Sequence, residues 1–382
     1  MADQTLIRRI NRARVLDAIR RRGRLSRSDV AGITDLDKKS ITNVMGELLE
    51  EEYVIEAGKR QTRKGRPFVL LELKKDRHLG IGLSLSEQGV TAALLNLGGE
   101  IVALHEIDYL PSPKLADILR AARRAYEQVR SVARGHLDGV GLTVPGLVDL
   151  PSGKVIRSVN IPSLNGVDIR GAVAGFARGP VLFEEATRAK ALAEKWFGLG
   201  RDLPSFVCVE LGIGIGMGIV HAGRLFASGK EYVGELGHIR VEEGGRPCPC
   251  GNRGCLEAYL SETVLLREVN RAQKTDLPGL AHLEKPGPAA SKVLREAGRR
   301  LGLGLSYVIN LICPPAIVLN GPLTKFADLV LPEVNRAARE ATLPGLVERT
   351  SIRVSALDHA SALGAAAMTL SRTFEVEGHY YV

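Results

Sequence analysis

Ser205-Phe-Val-Cys-Val-Glu-Leu-Gly-Ile-Gly-Ile-Gly-Met-Gly-Ile-Val220 opens the second of two similar cycles of apolar, strand-like sequence. Apolar runs of this length, rich in Val and Ile, suit strands buried on both faces. The same texture occurs earlier: His78–Leu85, Gly89–Leu97 and Glu100–His105 read as three strands separated by tight turns. A helix at about 114–133 follows, then an apolar strand from Asp138 to Pro145. The later cycle ends with a strand at Pro315–Gly321 and an Ala/Gly-rich helix containing Ser361–Ala367. Antiparallel strands leading into βα units, twice over, predict a duplicated α/β body of two lobes with a ligand cleft between them. The glycines at 212, 214, 216 and 218 admit a phosphate-loop reading, but their spacing matches neither the Walker nor the dinucleotide fingerprint.

Just downstream, Gly234-Glu-Leu-Gly-His238 leads to Cys248-Pro-Cys250-Gly-Asn-Arg-Gly-Cys255-Leu-Glu257. Thiolate and imidazole are the ligands that tetrahedral zinc prefers, and His238, Cys248, Cys250 and Cys255 make a complete set of four. A shell closed by four protein ligands has no place for a reactive water, so the expected Zn2+ is structural. The alternative is free or disulfide-linked cysteines on a surface loop. Cys248 and Cys250 are too close to pair easily, and three cysteines leave one thiol over. Cys208 and Cys313 lie in apolar runs and read as small buried hydrophobes.

Upstream of the body, Leu6, Ile10, Ala13, Leu16 and Ile19 form a helical stripe ended by Gly23. Ser26 with Asp29 opens a second helix in a capping-box arrangement, and Thr34–Asp37 is a short turn. A third helix from Asp37 to about Glu51 turns Ile41, Val44, Met45, Leu48 and Leu49 inward. Its first turn carries Lys38, Lys39, Ser40, Thr42 and Asn43, side chains suited to base edges and phosphates. Tyr53–Glu56 and Phe68–Leu73 then read as the two strands of a wing. Its tip, Arg63-Lys64-Gly-Arg66, resembles an arginine hook for a narrow A·T-rich minor groove. The whole is a winged helix-turn-helix, and a flexible basic linker is the bland alternative for its tip.

Charge agrees with that division. Residues 1–78 hold 19 Lys and Arg against 12 Asp and Glu, so +7 of the chain's net +9 lies in its first fifth. A basic head on a near-neutral body is the layout of a nucleic-acid-binding module. The opening residues lack an apolar run of signal-peptide length, and no stretch approaches a membrane span. Together with metal-ligand thiols, these features predict a cytoplasmic protein with no membrane partner.

The motifs Leu142-Thr-Val-Pro-Gly-Leu-Val148, Gly212–Val220, Gly234–His238 and Cys248–Glu257 identify a resemblance to the ROK family, which comprises sugar-responsive repressors and sugar kinases. The resemblance runs over nearly the whole chain, and the winged head is similar to that of the repressor branch. It implies an actin/hexokinase-like (ribonuclease H-like) α/β body. The domains expected are a DNA-binding head at 1–75, a first lobe at 76–190 and a zinc-containing lobe at 191–382, with the last helix returning to the first lobe. It implies zinc on His238, Cys248, Cys250 and Cys255, with Glu235 and Glu257 contacting sugar hydroxyls. The free nitrogen of His238 and the side chains of Asn160 and Glu185 are expected at the same effector site.

Two departures bear on activity. Family kinases carry a strand-end Asp in a Gly-x-Asp-x-Gly-Gly-Thr pattern, whereas this chain reads Gly80-Ile-Gly82-Leu-Ser84-Leu-Ser86. The kinases' catalytic Asp, eight residues before a Glu, aligns with Ala186 when counted back from Glu194, and Glu185 takes the preceding Asn position. Phosphoryl transfer depends on positioned charge and a base within reach of the hydroxyl, so no catalytic residue is expected and the protein is read as no enzyme. Glu185 and Ala186, with Arg188 alongside, also change the shape and charge expected of the ligand.

The resulting expectation is a repressor that binds an inverted-repeat, A·T-rich DNA operator as a homodimer or homotetramer. A small effector, a sugar or sugar derivative in the inter-lobe cleft, would alter the spacing of paired heads. The competing readings are a bifunctional sugar kinase with a DNA-binding head, and a ligand-independent DNA-binding protein on a vestigial kinase body.

Overall fold

A computed structural model describes residues 4–61, 67–110, 112–226 and 233–374. The head comprises helix α1 (Gln4–Arg22), a short strand β1 (Leu25–Ser26), helices α2 (Arg27–Thr34) and α3 (Lys38–Glu50), and strands β2 (Val54–Arg60) and β3 (Phe68–Leu73). Both expected helix starts are built as the local chemistry requires. Ser26 and Asp29 form the reciprocal capping box of α2, and the Asp37 carboxylate accepts from the amides of Lys39 and Ser40 at the start of α3. Val15, Leu16, Ile19, Val30, Ile41, Val44, Met45 and Leu48 fill the core between the helices. Strand β3 lies between β1 and β2, giving the wing a third, two-residue strand that alternation alone does not reveal.

The body continues with β4 (His78–Leu85), β5 (Gly89–Asn96), β6 (Ile101–Asp108), α4 (Leu115–Ser131), β7 (His136–Val144), β8 (Leu147–Asp149), β9 (Lys154–Arg157), α5 (Ile169–Ala174) and β10 (Val181–Glu185). After α6 (Ala186–Phe197) come β11 (Phe206–Leu211), β12 (Ile215–His221), β13 (Arg224–Leu225), α7 (Glu257–Leu260), α8 (Glu262–Gln273) and α9 (Pro288–Ile312). The chain then runs through β14 (Ala316–Asn320), α10 (Ala327–Ala341), β15 (Ser351–Val354) and α11 (Ala360–Phe374). Two five-stranded sheets result, in the orders β10-β7-β4-β5-β6 and β13-β12-β11-β14-β15. Each has antiparallel neighbours on one side of its central strand and a parallel neighbour on the other.

Packing divides the chain into two units that do not follow linear boundaries. Of the described residues, one takes in those up to Thr143, Asp168–Glu184 and those from Ala365 to Phe374; the other takes in those of Val144–Val167 and Glu185–Gly364. The head therefore belongs to the first unit. There Tyr53 stacks on His78 of β4 at 3.9 Å between ring centroids, and the Arg12 guanidinium lies 4.9 Å from the centroid of the same Tyr53 ring. Asp138 of β7 orients His78 through a 2.9 Å contact to Nδ1. The Ala-rich α11 comes close to the first sheet because a Cβ at Gly141 would lie 1.8 Å from the Ala365 carbonyl oxygen. Small residues on both sides make that approach sterically possible. Among the described residues no helix is long and apolar enough to cross a membrane.

Candidate metal centre and effector pocket

The second unit brings the four sulfur and nitrogen ligands together. His238 ends a one-turn helix at Leu236–His238, and the cysteines lie on a loop held by backbone bonds. Cys248 N donates to the Asn252 carbonyl (2.8 Å), Gly254 N to that of Arg246 (2.8 Å) and Leu256 N to that of Ile239 (3.0 Å). Gly254 has φ +77°, and a Cβ there would meet the Glu242 carbonyl oxygen at 1.7 Å, so only glycine lets the loop close at this point. Tyr259 secures the loop from beneath: its hydroxyl accepts from Arg246 N at 2.8 Å, and Arg246 and Arg300 lie 4.8 and 4.0 Å from its ring centroid.

His238 Nδ1 is 3.8 Å from Cys248 Sγ, Cys250 Sγ is 3.8 Å from Cys255 Sγ, and all four ligand atoms lie within 4.8 Å of one another. Two thiolates about 2.3 Å from a tetrahedral zinc stand about 3.8 Å apart. The donor set can therefore hold a metal ion. Burial pushes the Cys248 thiol up to about 12, so a thiolate there needs a compensating cation.

With Nδ1 turned to the cysteines, the other ring nitrogen of His238 faces Glu235, Nε2 to Oε2 at 3.7 Å. Desolvation holds the Glu235 carboxyl above the usual carboxylate range; His238 opposes this shift and Glu257 adds to it. Glu257 accepts from Ile215 N at 2.8 Å. A Cβ at Gly214 would lie 3.4 Å from the Glu257 carboxylate and 3.7 Å from the Asn160 amide nitrogen, so these groups meet at the β11–β12 turn.

Asn160 and Glu257 line a cavity of about 590 Å³, together with Ile213, Arg246, Arg267 and Arg271. Its volume is that of an ordinary small-molecule site. Glu235, His238 and Glu185 are not among its lining residues. Glu185, expected beside the effector, caps α6: its Oε2 accepts from the amides of Thr187 and Arg188 at 2.7 and 2.9 Å. Arg188 is 1% exposed and donates to the Phe226 carbonyl at 2.7 Å. It is therefore a buried structural cation, and the ligand-charge change expected from it is not realised in this cavity.

The alternating glycines also acquire a specific reading. A Cβ at Gly216 would meet Thr187 Oγ1 at 2.9 Å, and one at Gly218 would meet the Ala191 Cβ at 2.6 Å. These two admit α6 onto β12. Gly214 alone of the three faces the pocket groups.

In the head, Lys38, Lys39, Thr42 and Asn43 are exposed and Ser40 is half-buried. The Ser40 hydroxyl donates to Asp37 at 2.6 Å and that of Thr42 to the Lys38 carbonyl at 2.8 Å. The wing-tip residues Arg63, Lys64 and Arg66 lie outside the described residues. Sequence reasoning missed Arg267 and Arg271. They stand four apart on the exposed face of α8, a pattern indistinguishable in sequence from a solvated helix surface.

The chain thus joins three helices and a short three-stranded sheet to two five-stranded sheets of matching plan. The ROK family pattern matches residues 81–372, and the chain belongs to that family. It is 28% identical to the xylose repressor of Caldicellulosiruptor bescii, over 97% of this chain and 98% of that protein. A ROK family transcriptional regulator, described as a homolog of the Escherichia coli MLC protein, superposes with a TM-score of 0.80 at 27% identity over 97% of both chains. The ROK hexokinase of Thermus thermophilus matches 76% of this chain and 97% of its own, with a TM-score of 0.62 and 27% identity.

Proposed function

We propose that the chain is a zinc-containing transcriptional repressor. In this reading residues 1–75 bind an A·T-rich, inverted-repeat operator as part of a homodimer or homotetramer in the cytoplasm. A small effector, a sugar or sugar derivative, binds the second unit and biases the protein between operator-bound and free states. It can do so only through a difference in its affinity for the two. The observation that carries this reading is the exposed first turn of α3, with Lys38, Lys39, Thr42 and Asn43 above a paired wing. Such a turn offers the short polar and cationic side chains that suit major-groove edges and phosphates.

His238, Cys248, Cys250 and Cys255 would hold the zinc. When bound, the ion supplies structural cross-linking of the loop with a closed ligand shell. His238 then presents Nε2 beside Glu235 with its tautomer settled by the metal side. Asn160 and Glu257 supply hydrogen-bonding groups to effector hydroxyls, with Glu235 and His238 adjoining. Turnover is not part of the proposal, because Gly82 is buried within β4 and Ala186 has no proton-accepting group.

The test is fluorescence anisotropy of the full-length protein on genomic fragments that it enriches, measured over a range of salt. Specific binding that weakens steeply with salt is expected. Asn43→Ala should reduce specific affinity by about 1–3 kcal/mol, and Lys39→Ala should lower the salt slope by about one unit. Binding that is independent of sequence and of these residues refutes the repressor reading.

A further inference from the structure

We infer that the effector of this pocket is an anionic sugar derivative, carrying a carboxylate or a phosphate, whose charge is read by Arg267 and Arg271. The inference rests on the effector reading above and narrows its ligand class. Both arginines line the 590 Å³ cavity, and their spacing on α8 puts them on one helix face. Among the described residues neither guanidinium has a hydrogen bond or ion pair. The third arginine of the cavity differs: Arg246 is paired with Glu268 at 2.7 Å. The other carboxylate of the lining, Glu257, is engaged by the Ile215 amide at the β11–β12 turn. Among the described residues the α8 wall therefore contributes two guanidinium groups without an ion-pair partner, in a lining of three arginines against two carboxylates.

On an open helix surface such charges are solvated and carry little information. Here they face a concavity whose other lining includes Val159, Ile213, Pro247, Pro249 and Val264. Low-dielectric walls concentrate the field of unmatched charge and raise the local concentration of a counter-ion. Guanidinium forks match the oxygen geometry of carboxylate and phosphate groups. Glu257 and Asn160 supply the opposite kind of surface, which suits hydroxyls and, through the Glu257 charge, repels an anion. The pocket is thus polarised. It orients a ligand with its hydroxyls toward Asn160 and Glu257 and its charged substituent toward α8.

The test is calorimetric titration of the full-length, zinc-loaded protein with matched probes: glucose, glucuronate and glucose 6-phosphate, and N-acetylglucosamine with its 6-phosphate. The charged member of at least one set should bind about tenfold or more tightly than its neutral partner. That advantage should shrink with added salt and disappear in the Arg267→Gln/Arg271→Gln double variant, whose zinc content and thermal midpoint should match the wild type. Glucuronate against the phosphates separates a carboxylate from a phosphate ligand. Equal binding of neutral and charged members, or an unchanged charged-ligand affinity in the double variant, overturns the anionic assignment and leaves the effector reading standing. Binding of no probe, with operator affinity unaffected by any of them, overturns the effector reading and this inference with it.

Discussion

In the first sheet β4 lies between antiparallel β5 and parallel β7, and in the second β11 lies between antiparallel β12 and parallel β14. The plans match, but the tips of the two central hairpins differ. At the β4–β5 tip Ser86 closes the turn on itself: its hydroxyl donates to the Gly89 carbonyl at 3.0 Å and accepts from the amides of Gln88 and Gly89 at 3.3 and 3.1 Å. Tyr109 donates to the Ser86 carbonyl as well. At the β11–β12 tip Ile213 lines the cavity, and Gly214 leaves room in front of Glu257 and Asn160. A turn whose polar groups are satisfied within itself offers little to a ligand. One that opens onto a carboxylate and an amide retains a binding surface. The β4–β5 tip is closed on itself, and the β11–β12 tip stays open beside the cavity.

The largest effect is expected at the loop that carries Cys248, Cys250 and Cys255. Cys250→Ser should lose the ion and destabilise the second unit. Structural zinc contributes roughly 10–16 kcal/mol of apparent binding energy in small domains. Even about 3 kcal/mol lost would lower the midpoint by roughly 6–12 °C. Calorimetry with metal analysis decides the matter, and unchanged zinc content and midpoint would place the ion elsewhere.

Next come the two glycines that look alike in sequence. Gly218→Ala forces a methyl against Ala191 and should cost about 1–3 kcal/mol in denaturant unfolding. Gly214→Ala meets nothing closer than 3.4 Å, so stability should hold to within about 0.5 kcal/mol. Its added methyl faces Glu257 and Asn160, and effector affinity should fall by about tenfold, or roughly 1.4 kcal/mol. Equal stability losses at both positions would remove the distinction between packing and pocket glycines.

The smallest effect belongs to the closed tip. Ser86→Ala should cost about 1 kcal/mol through its lost hydrogen bonds and leave effector affinity unchanged in titration. Sugar-dependent ATP turnover by the wild-type protein would break the comparison outright, because it would show that the closed end still handles phosphate.

Local chemistry was legible. Ser26 with Asp29 and the cap at Asp37 mark helix starts by hydrogen bonds that span three residues or fewer. Strand identity followed from apolar runs, and the His-Cys₃ set from ligand type and spacing. Less legible was anything that depends on what packs across from a residue. That Glu185 also caps α6, and that Arg188 is buried and donates to the Phe226 carbonyl, is set by the fold. Neither partner is marked by a motif.

By itself the sequence determined the elements, the family and the His-Cys₃ donor set, because propensity, capping and coordination chemistry act over short stretches of chain. Only the tertiary structure decided which glycine serves packing and which serves the pocket. It also decided which arginines are matched, and which nitrogen of His238 turns to the cysteines. Those distinctions arise from contacts between segments far apart in the chain, where distance and burial set the energy of each group.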